Sequence, residues 1–363
     1  MTQPSTIFIT GGTGFIGAHV VAQTLKAGHR ALLSVRREAQ IPQLRSRLAA
    51  AGVSPELELE HPSQLSFAIL PDITDQDSLR SALLSNPHHP VDFVFHIASP
   101  MPGKGTDFST DYARPAVAGT TALLAAAASI PSIKRVIIVS SALALMPLGG
   151  LSTPGLRVTE GANPSLSVPA IDDDEGWDGI FRPLGDGAHG AKYSASKILA
   201  HRATLTWAQE HKPKFKLVTL HPAFVLGRDL AQAADKEQGM ATVNGGFVAS
   251  LKAAEKKPHI PSSFVDVRDV ALAHLRSIDA KLGEEGGGVT EYLLESKPGV
   301  TWKDVVGFVK DKYPQVDVKL TGPFDEPFSS DTSRAEKDLG IKWHGMQEIV
   351  GSVLDQQIAL GKL

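Results

Sequence analysis

Tyr193 and Lys197 stand four residues apart in the run Tyr193-Ser194-Ala195-Ser196-Lys197, a spacing that places both on one face of a helix. A phenol is a poor proton donor or base near neutral pH unless a neighbouring cation lowers its pKa, and a fixed ammonium is the simplest such cation. Far upstream lies Thr10-Gly11-Gly12-Thr13-Gly14-Phe15-Ile16-Gly17. Without Cβ atoms such a turn approaches a pyrophosphate closely and leaves its charge on the N–H groups that open the next helix. The two features predict a nucleotide cofactor and a proton-transfer group meeting in one cleft.

Positioning them requires a regular scaffold. Short β-branched runs alternate with helical stretches through the first two-thirds of the chain, the pattern of an α/β doubly wound parallel sheet. The strands are expected at Thr6–Thr10, Arg30–Val35, Ser66–Leu70, Val91–His96, Lys134–Ser140 and Lys216–His221. Between them helices are expected near Gly14–Ala27, Ile41–Ala51, Asp75–Leu84, Tyr112–Ser129 and Ala191–His211, with Asp75 and Ser109 or Thr110 as caps. After Pro222 the rhythm breaks in a Gly- and Lys-rich stretch from Asp235 to Lys257. It returns at Phe264–Ile278 and Val289–Leu294, and helical character reappears around Trp302–Lys312 and Gln347–Leu360. These departures predict a Rossmann domain over 1–224 and 263–295, with a smaller, discontinuous substrate lobe over 225–262 and 296–363.

Composition narrows the function classes. With 363 residues, 42% hydrophobic, 21% charged and a formal net charge of -3, the chain reads as a globular protein without the basic stripe that nucleic-acid binding needs. The absence of cysteine removes disulfides, thiolate zinc sites and cysteine nucleophiles, and no metal site is expected. No signal peptide or membrane span is expected, since the longest apolar stretch, Val136 to Leu151, is interrupted by serines, a proline and glycines. The ending Gly361-Lys362-Leu363 lacks the small polar first residue of a peroxisomal address, so the cytoplasm is the default. The expected partner is a small molecule, on a monomer or homodimer.

In the glycine turn, Gly11, Thr13, Gly14, Phe15, Ile16 and Gly17 follow a strand and open a helix, the context in which such a motif binds a dinucleotide. Where an acidic residue at the end of the second strand would hold the ribose of NAD, this chain has Arg36 and Arg37. Two guanidinium groups there favour a 2′-phosphate and hence NADP(H).

The order and approximate spacing of further stretches make the chain resemble the extended short-chain dehydrogenase/reductases. These are Asp72-Ile73, Phe95-His96-Ile97-Ala98-Ser99-Pro100, Ser140-Ser141-Ala142, the Tyr193–Lys197 run, His221-Pro222 and Phe264 to Val270. It looks closest to the dihydroflavonol-reductase-like branch, which includes fungal and yeast carbonyl and methylglyoxal reductases. The resemblance implies that Asp72 accepts from the adenine amino group with the Ile73 backbone beside it. It implies that Ala98 and Ser99 line the cofactor groove, and that Pro222 and the backbone through Val225 lie by the nicotinamide. It makes Ser141 catalytic, with Ser140 as the alternative. On this reading Tyr193 donates the proton, Ser141 positions the carbonyl oxygen, and Lys197 lowers the tyrosine pKa while holding the nicotinamide ribose.

Two departures bear on the substrate. The interval from Ser141 to Tyr193 is longer than usual for the branch, and the excess falls at Gly149–Ile171, ahead of Asp174-Glu175 and Trp177; the insertion is expected as a lid or an inert surface loop. Five residues beyond the catalytic serine, plant dihydroflavonol reductases carry an asparagine that reads the flavonoid, and this chain has Met146. Met146 and Leu143 suggest an apolar wall that does not suit a flavonoid, with Phe224, Phe247 and Val248 as further pocket candidates. The leading expectation is an NADPH-dependent reductase of aldehydes and ketones. The alternatives are an NAD-dependent nucleotide-sugar epimerase or dehydratase, and a non-enzymatic NADP(H) sensor.

Overall fold

A computed structural model describes residues 4–53, 64–86, 88–101, 103, 105–162, 174–254, 257–282, 288–296 and 299–363. Its first strands are β1 (Thr6–Thr10), β2 (Arg30–Val35), β3 (Leu65–Ile69), β4 (Phe93–His96) and β5 (Arg135–Val139). They are followed by β6 (Arg157–Val158), β7 (Lys216–Pro222), β8 (Phe224–Leu226), β9 (Phe264–Asp266), β10 (Val289–Leu294) and β11 (Ser329–Ser330). The helices begin with α1 (Phe15–Lys26), α2 (Gln40–Ala50), α3 (Gln76–Leu83), α4 (Arg114–Ala128), α5 (Asp174–Phe181) and α6 (Ala188–His211). They continue with α7 (Leu230–Ala234), α8 (Thr242–Lys252), α9 (Val267–Asp279), α10 (Trp302–Lys312), α11 (Ser333–Leu339) and α12 (Met346–Ala359).

Seven strands form one sheet in the order β10-β7-β5-β4-β1-β2-β3, and every adjacent pair is parallel. Both faces are buried, which explains continuous runs such as the wholly buried β1. On one face Val20, Val21 and Leu25 of α1, Leu44 and Leu48 of α2, and Val270 and Ala273 of α9 pack against Ile7, Ile9 and Leu33. On the other, Leu79 and Leu83 of α3, Leu123 and Leu124 of α4, and Trp207 of α6 pack against Phe8, Leu32 and Val94. The strand order reverses between β1 and β4, and the crevice above the C-terminal ends of those strands is where open α/β sheets bind their ligands.

A separate core gathers side chains from the segments expected in the smaller lobe. Phe247, Val248 and Leu251 of α8 pack with Trp302, Val305 and Val309 of α10 and with Ile349, Val350, Val353 and Leu354 of α12. Phe247 is fully buried and stacks on Trp302 at 5.6 Å, so Phe247 and Val248 are core residues and not pocket lining. The helix α8 falls inside the Gly- and Lys-rich stretch where no element was expected; its buried face against α10 supplies what its glycines cost. At the caps, Asp75 accepts from the backbone N–H groups of Asp77 and Ser78 at 3.0 and 3.1 Å. Ser109 and Thr110 instead lie inside a π-helical turn, and the capping acceptor is Asp107, which takes the Thr110 N–H at 2.7 Å. No described helix is long and apolar enough to cross a membrane.

Candidate active site

The glycine turn is held by its own close contacts. Gly11 has φ +73°, and a Cβ there would meet the Ala98 backbone nitrogen at 2.6 Å; a Cβ on Gly17 would meet the Gly11 carbonyl oxygen at 2.0 Å. Only glycine lets β1, α1 and the end of β4 converge this tightly. The helix that follows has no side-chain cap at Gly14 and no acidic residue in its first turn. Its N-terminal N–H groups are thus left for an anion, which is the fit a dinucleotide pyrophosphate requires. Thr13 lends its carbonyl to the Arg47 guanidinium, a cation on α2 that local sequence does not point to at this turn. Phe15 and Ile16 turn into the core beneath.

The other expected cofactor residues surround this crevice. Gln40 Oε1 accepts from the backbone N–H groups of Arg36 and Arg37 at 2.9 and 3.2 Å. That bond shapes the end of β2, and both arginine side chains are exposed there. Asp72 Oδ1 accepts from the Thr74 N–H and hydroxyl, each at 2.8 Å, which holds its carboxyl below the usual range. Ile73 packs against the second face of the sheet, next to Gly119. Ala98 donates its N–H to Thr10 Oγ1 at 3.2 Å, and with Ser99 it lines a small cavity shared with Lys197. Pro222 ends β7 opposite Leu294. Val225 lies in β8 with its side chain in the main core, so any exchange with a ligand there falls to its backbone.

The catalytic candidates converge at the ends of β5 and α6. Ser141 is buried; its Oγ accepts from the Leu143 N–H at 3.2 Å and lies near enough to the Tyr193 phenol to act on its pKa. Ser140 lines the cavity behind, so the geometry couples Tyr193 to Ser141. One turn along α6, the Lys197 ammonium lies 5.7 Å from the Tyr193 ring centre and donates to the Val139 carbonyl at 3.3 Å. Burial pushes the Tyr193 phenol up to about 12, with the nearby Ser141 hydroxyl opposing it, and pulls Lys197 down to about 8. The spacing alone led to the expectation that the ammonium would lower the phenol. In this geometry desolvation outweighs that help, because Lys197 is itself buried and turned toward Val139.

The insertion and residues around β8 and β11 close the other side. Leu143, Met146, Val158, Ala223 and Phe328 form an apolar cluster, with Leu156, Phe224 and Tyr193 packed against it. Phe108, Trp177 and Phe181 cover the remaining flank of Tyr193. The described part of the insertion, 149–162, is tied down. Its β6 pairs in parallel with β11, Leu293 donates its N–H to Glu160 at 3.0 Å, and the Gly161 N–H reaches Glu291. Residues 163–173, which include the rest of the insertion together with Asp172 and Asp173, lie outside the described residues.

Sequence reasoning missed a buried polar group behind the site. His201, one turn beyond Lys197, bonds through Nε2 to Glu291 at 2.8 Å. Its ring meets that of His221 edge-on at 4.7 Å. His221 in turn bonds the Ser141 carbonyl through Nδ1 at 3.1 Å and Thr219 Oγ1 through Nε2 at 2.8 Å. The signal was present in part, since His201 repeats the four-residue step that joins Tyr193 to Lys197; its pairing with a residue ninety positions away on β10 was not readable.

Comparison with known proteins places this geometry. Residues 7–156 match the NAD dependent epimerase/dehydratase family. The ketoreductase sphI of Aspergillus fumigatus is 34% identical over 361 residues, covering 97% of each chain. The NAD-dependent epimerase/dehydratase ALT6 of Alternaria alternata is 30% identical, covering 95% of this chain and 96% of its own. Yeast methylglyoxal/isovaleraldehyde reductase Gre2, solved with NADPH, superposes with a TM-score of 0.76 over 99% of this chain and 100% of that one, at 23% identity, and so shares the fold. A doubly wound sheet, a glycine turn at its switch point and a Ser-Tyr-Lys group beside it, in a chain matched end to end by such relatives, make this protein a member of the NAD-dependent epimerase/dehydratase family of extended short-chain dehydrogenase/reductases.

Proposed function

We propose that the protein is an NADPH-dependent reductase that converts aldehyde or ketone carbonyls to alcohols. The observation that carries this reading is the convergence of Ser141 on the Tyr193 phenol, with Lys197 one turn away, at the edge of a crevice fitted for a dinucleotide. The names of relatives point the same way: sphI is a ketoreductase, and Gre2 reduces methylglyoxal and isovaleraldehyde with NADPH bound.

A bound dihydronicotinamide supplies the hydride for the carbonyl carbon. The protein must then meet the negative charge that grows on the carbonyl oxygen. Ser141 Oγ already accepts from the Leu143 N–H, which leaves its own proton free to point at that oxygen. Tyr193, pushed up to about 12, stays protonated throughout the neutral range and is ready to give its proton to the alkoxide. Lys197 places a positive charge behind the phenol as it becomes phenolate. Arg36 and Arg37, exposed at the end of β2, would pair with the 2′-phosphate that distinguishes NADPH. Asp72, Ile73, Ala98, Ser99, Pro222 and the Val225 backbone would complete the cofactor groove.

The wall of Leu143, Met146, Leu156, Val158, Phe224 and Phe328 favours apolar carbonyl compounds over sugar nucleotides, whose diphosphates need cationic partners. NADPH oxidation against small dicarbonyls, aryl ketones, β-keto esters and aliphatic aldehydes tests the reading. Turnover is expected with at least one apolar class; cofactor binding with no turnover on the whole panel would return the sensor reading. Tightly retained oxidised cofactor in the purified protein would instead favour the epimerase.

A further inference from the structure

The catalytic face of α6 continues one turn ahead of Tyr193. His189, Tyr193 and Lys197 follow one another at four-residue steps in this helix, so their side chains stand on one side of it. Lys197 is buried, whereas Tyr193 and His189 each keep part of their surface exposed. The crevice therefore opens along α6 toward His189.

The His189 ring is held by Tyr112. The phenolic oxygen of Tyr112, a residue 1% exposed, has three neighbours: the Gly103 N–H at 3.1 Å, the Gly105 carbonyl at 3.2 Å and His189 Nδ1 at 3.1 Å. A phenol has one hydrogen to give and lone pairs with which to accept. The Gly103 N–H can only donate and the Gly105 carbonyl can only accept, so the hydroxyl spends its hydrogen on Gly105 and receives one from Gly103. The third contact is then a hydrogen bond only if His189 donates from Nδ1. A neutral imidazole that donates from one nitrogen accepts at the other, which leaves Nε2 as an acceptor with no partner among the described residues. The loop carrying Gly103 and Gly105 is itself pinned, since Asp111 accepts from the N–H groups of Thr106 and Asp107, both at 2.9 Å. The ring is thus oriented before a substrate arrives, which lowers the cost of binding.

What such an acceptor reads follows from its surroundings. Phe108, Trp177 and Phe181 pack on one flank of Tyr193, with ring centres 4.6, 4.9 and 5.7 Å apart, and the apolar cluster of Leu143, Met146 and Phe328 packs against the other. At the end of an apolar slot, an acceptor binds a hydroxyl that reaches it and is left unpaired by a group that cannot donate, so it discriminates between the two. Four residues of helix put it roughly 6 Å from Tyr193, a separation that a benzene ring carrying a carbonyl and a hydroxyl group can span.

We propose that His189 is a specificity-determining residue, whose Nε2 accepts a hydrogen bond from a hydroxyl on the carbonyl substrate and so selects hydroxyaryl ketones. The inference rests on the reductase reading and names the substrate class of that same site. Tyr112 is a positioning residue, which sets the tautomer of His189 without touching the substrate.

The test compares the meta- and para-hydroxyphenyl methyl ketones with their methoxy counterparts and with phenyl methyl ketone. In the parent, kcat/KM for at least one hydroxy ketone should exceed that of its methoxy counterpart by about ten-fold or more. In His189→Phe that ratio should fall to within about two-fold, while phenyl methyl ketone is reduced within about two-fold of the parent rate. A parent without the preference, or without turnover of the aryl ketones, overturns the assignment. So does a preference that survives in the variant, or a variant that slows every ketone alike. A parent inactive on every carbonyl class overturns the reductase reading instead, and a measurement that needs no turnover then decides on His189. At about pH 8, 15N spectra should show His189 as the Nδ1–H tautomer, a preference lost in Tyr112→Phe. Its Nε2 resonance should move when a hydroxy ketone is added with NADP+, and stay in place with the methoxy ketone. The opposite tautomer, or an Nε2 indifferent to both hydroxy ketones, refutes the proposal.

Discussion

The two sides of the crevice are built in opposite ways. On the cofactor side, the turn from Gly11 to Gly17 is fixed by backbone contacts within a few residues and by one long-range neighbour, Ala98, with no room for a Cβ at Gly11 or Gly17. On the substrate side, the wall is assembled from side chains of distant segments: Leu143 and Met146 after β5, Leu156 and Val158 in the insertion, Phe224 in β8 and Phe328 before β11. A backbone-defined site leaves little freedom to vary, whereas a side-chain wall changes shape with each substitution. Cofactor use should therefore be the fixed property of this protein and substrate choice the adjustable one.

The sharpest separation of the two sides is Tyr193→Phe. Removing the phenolic oxygen leaves the ring between its two apolar clusters and leaves the glycine turn untouched. Reductase kcat should fall by about 10²–10⁴-fold, while NADPH affinity, read by fluorescence titration, stays within about two-fold. A variant that reduces at the parent rate would remove Tyr193 from the chemistry; one that loses NADPH would show the two sides to be one unit.

The complementary change is Arg36→Ala with Arg37→Ala. Neither guanidinium packs in the core, so stability should hold while NADPH affinity drops by about 10–100-fold and NADH affinity hardly moves, as expected for the loss of charge-assisted bonds to a phosphate. An unchanged ratio of the two affinities would move cofactor choice elsewhere, with Arg47 beside Thr13 the next cation to change.

The same contrast governs what could be read before the fold was known. Strands β1, β2 and β10 have the limits expected from their alternation with helices, and α10 likewise. Each is decided by a local run that both faces of a sheet, or one face of a helix, then bury. The glycine turn was legible because its constraint is also local. The helix α8 was not, since its interior glycines, Gly245 and Gly246, argue against it, and the ring that Phe247 stacks on, Trp302, lies far along the chain. The wall residues Val158 and Phe328 carried no signal, because β6 and β11 are two residues each and exist through pairing with one another. The high Tyr193 pKa was missed for a related reason: spacing shows the neighbouring charge but not the burial that outweighs it.

Where Lys197 acts can be separated from where Tyr193 acts by pH. A lysine lowered to about 8 is protonated below that value and neutral above it, whereas Tyr193, near 12, does not titrate in the working range. The kcat/KM for reduction should thus be level from about pH 6 to 7.5 and fall by up to about ten-fold per unit above 8. In Lys197→Met the break near 8 should vanish from a much slower, flat profile. A break that persists in this variant would assign it to another group.

The smallest expected effect tests whether the substrate wall is fastened by carboxyl groups. Glu160 holds the insertion to β10 through the Leu293 N–H, and Glu295 holds β11 through the Ser330 N–H at 2.6 Å. Burial pushes each of these carboxyls up to about 7 from an ordinary 4.5. An acid raised on folding binds its proton more tightly in the native state, so its stabilising contribution is complete below pH 4.5 and is lost as pH rises through 7. His96 and His221, held neutral at about 3, and His274, at about 4, act in the other direction, losing stability as pH falls through 6.5. The readable quantity is therefore the difference between a variant and its parent. Glu160→Gln with Glu295→Gln, which cannot ionise, should gain thermal stability relative to the parent between pH 5 and 8, by a few degrees at most. Tm measured across that range checks it. A constant offset would mean that neither carboxyl titrates in the fastening of the wall, and that β6 and β11 are held by their pairing and apolar contacts alone.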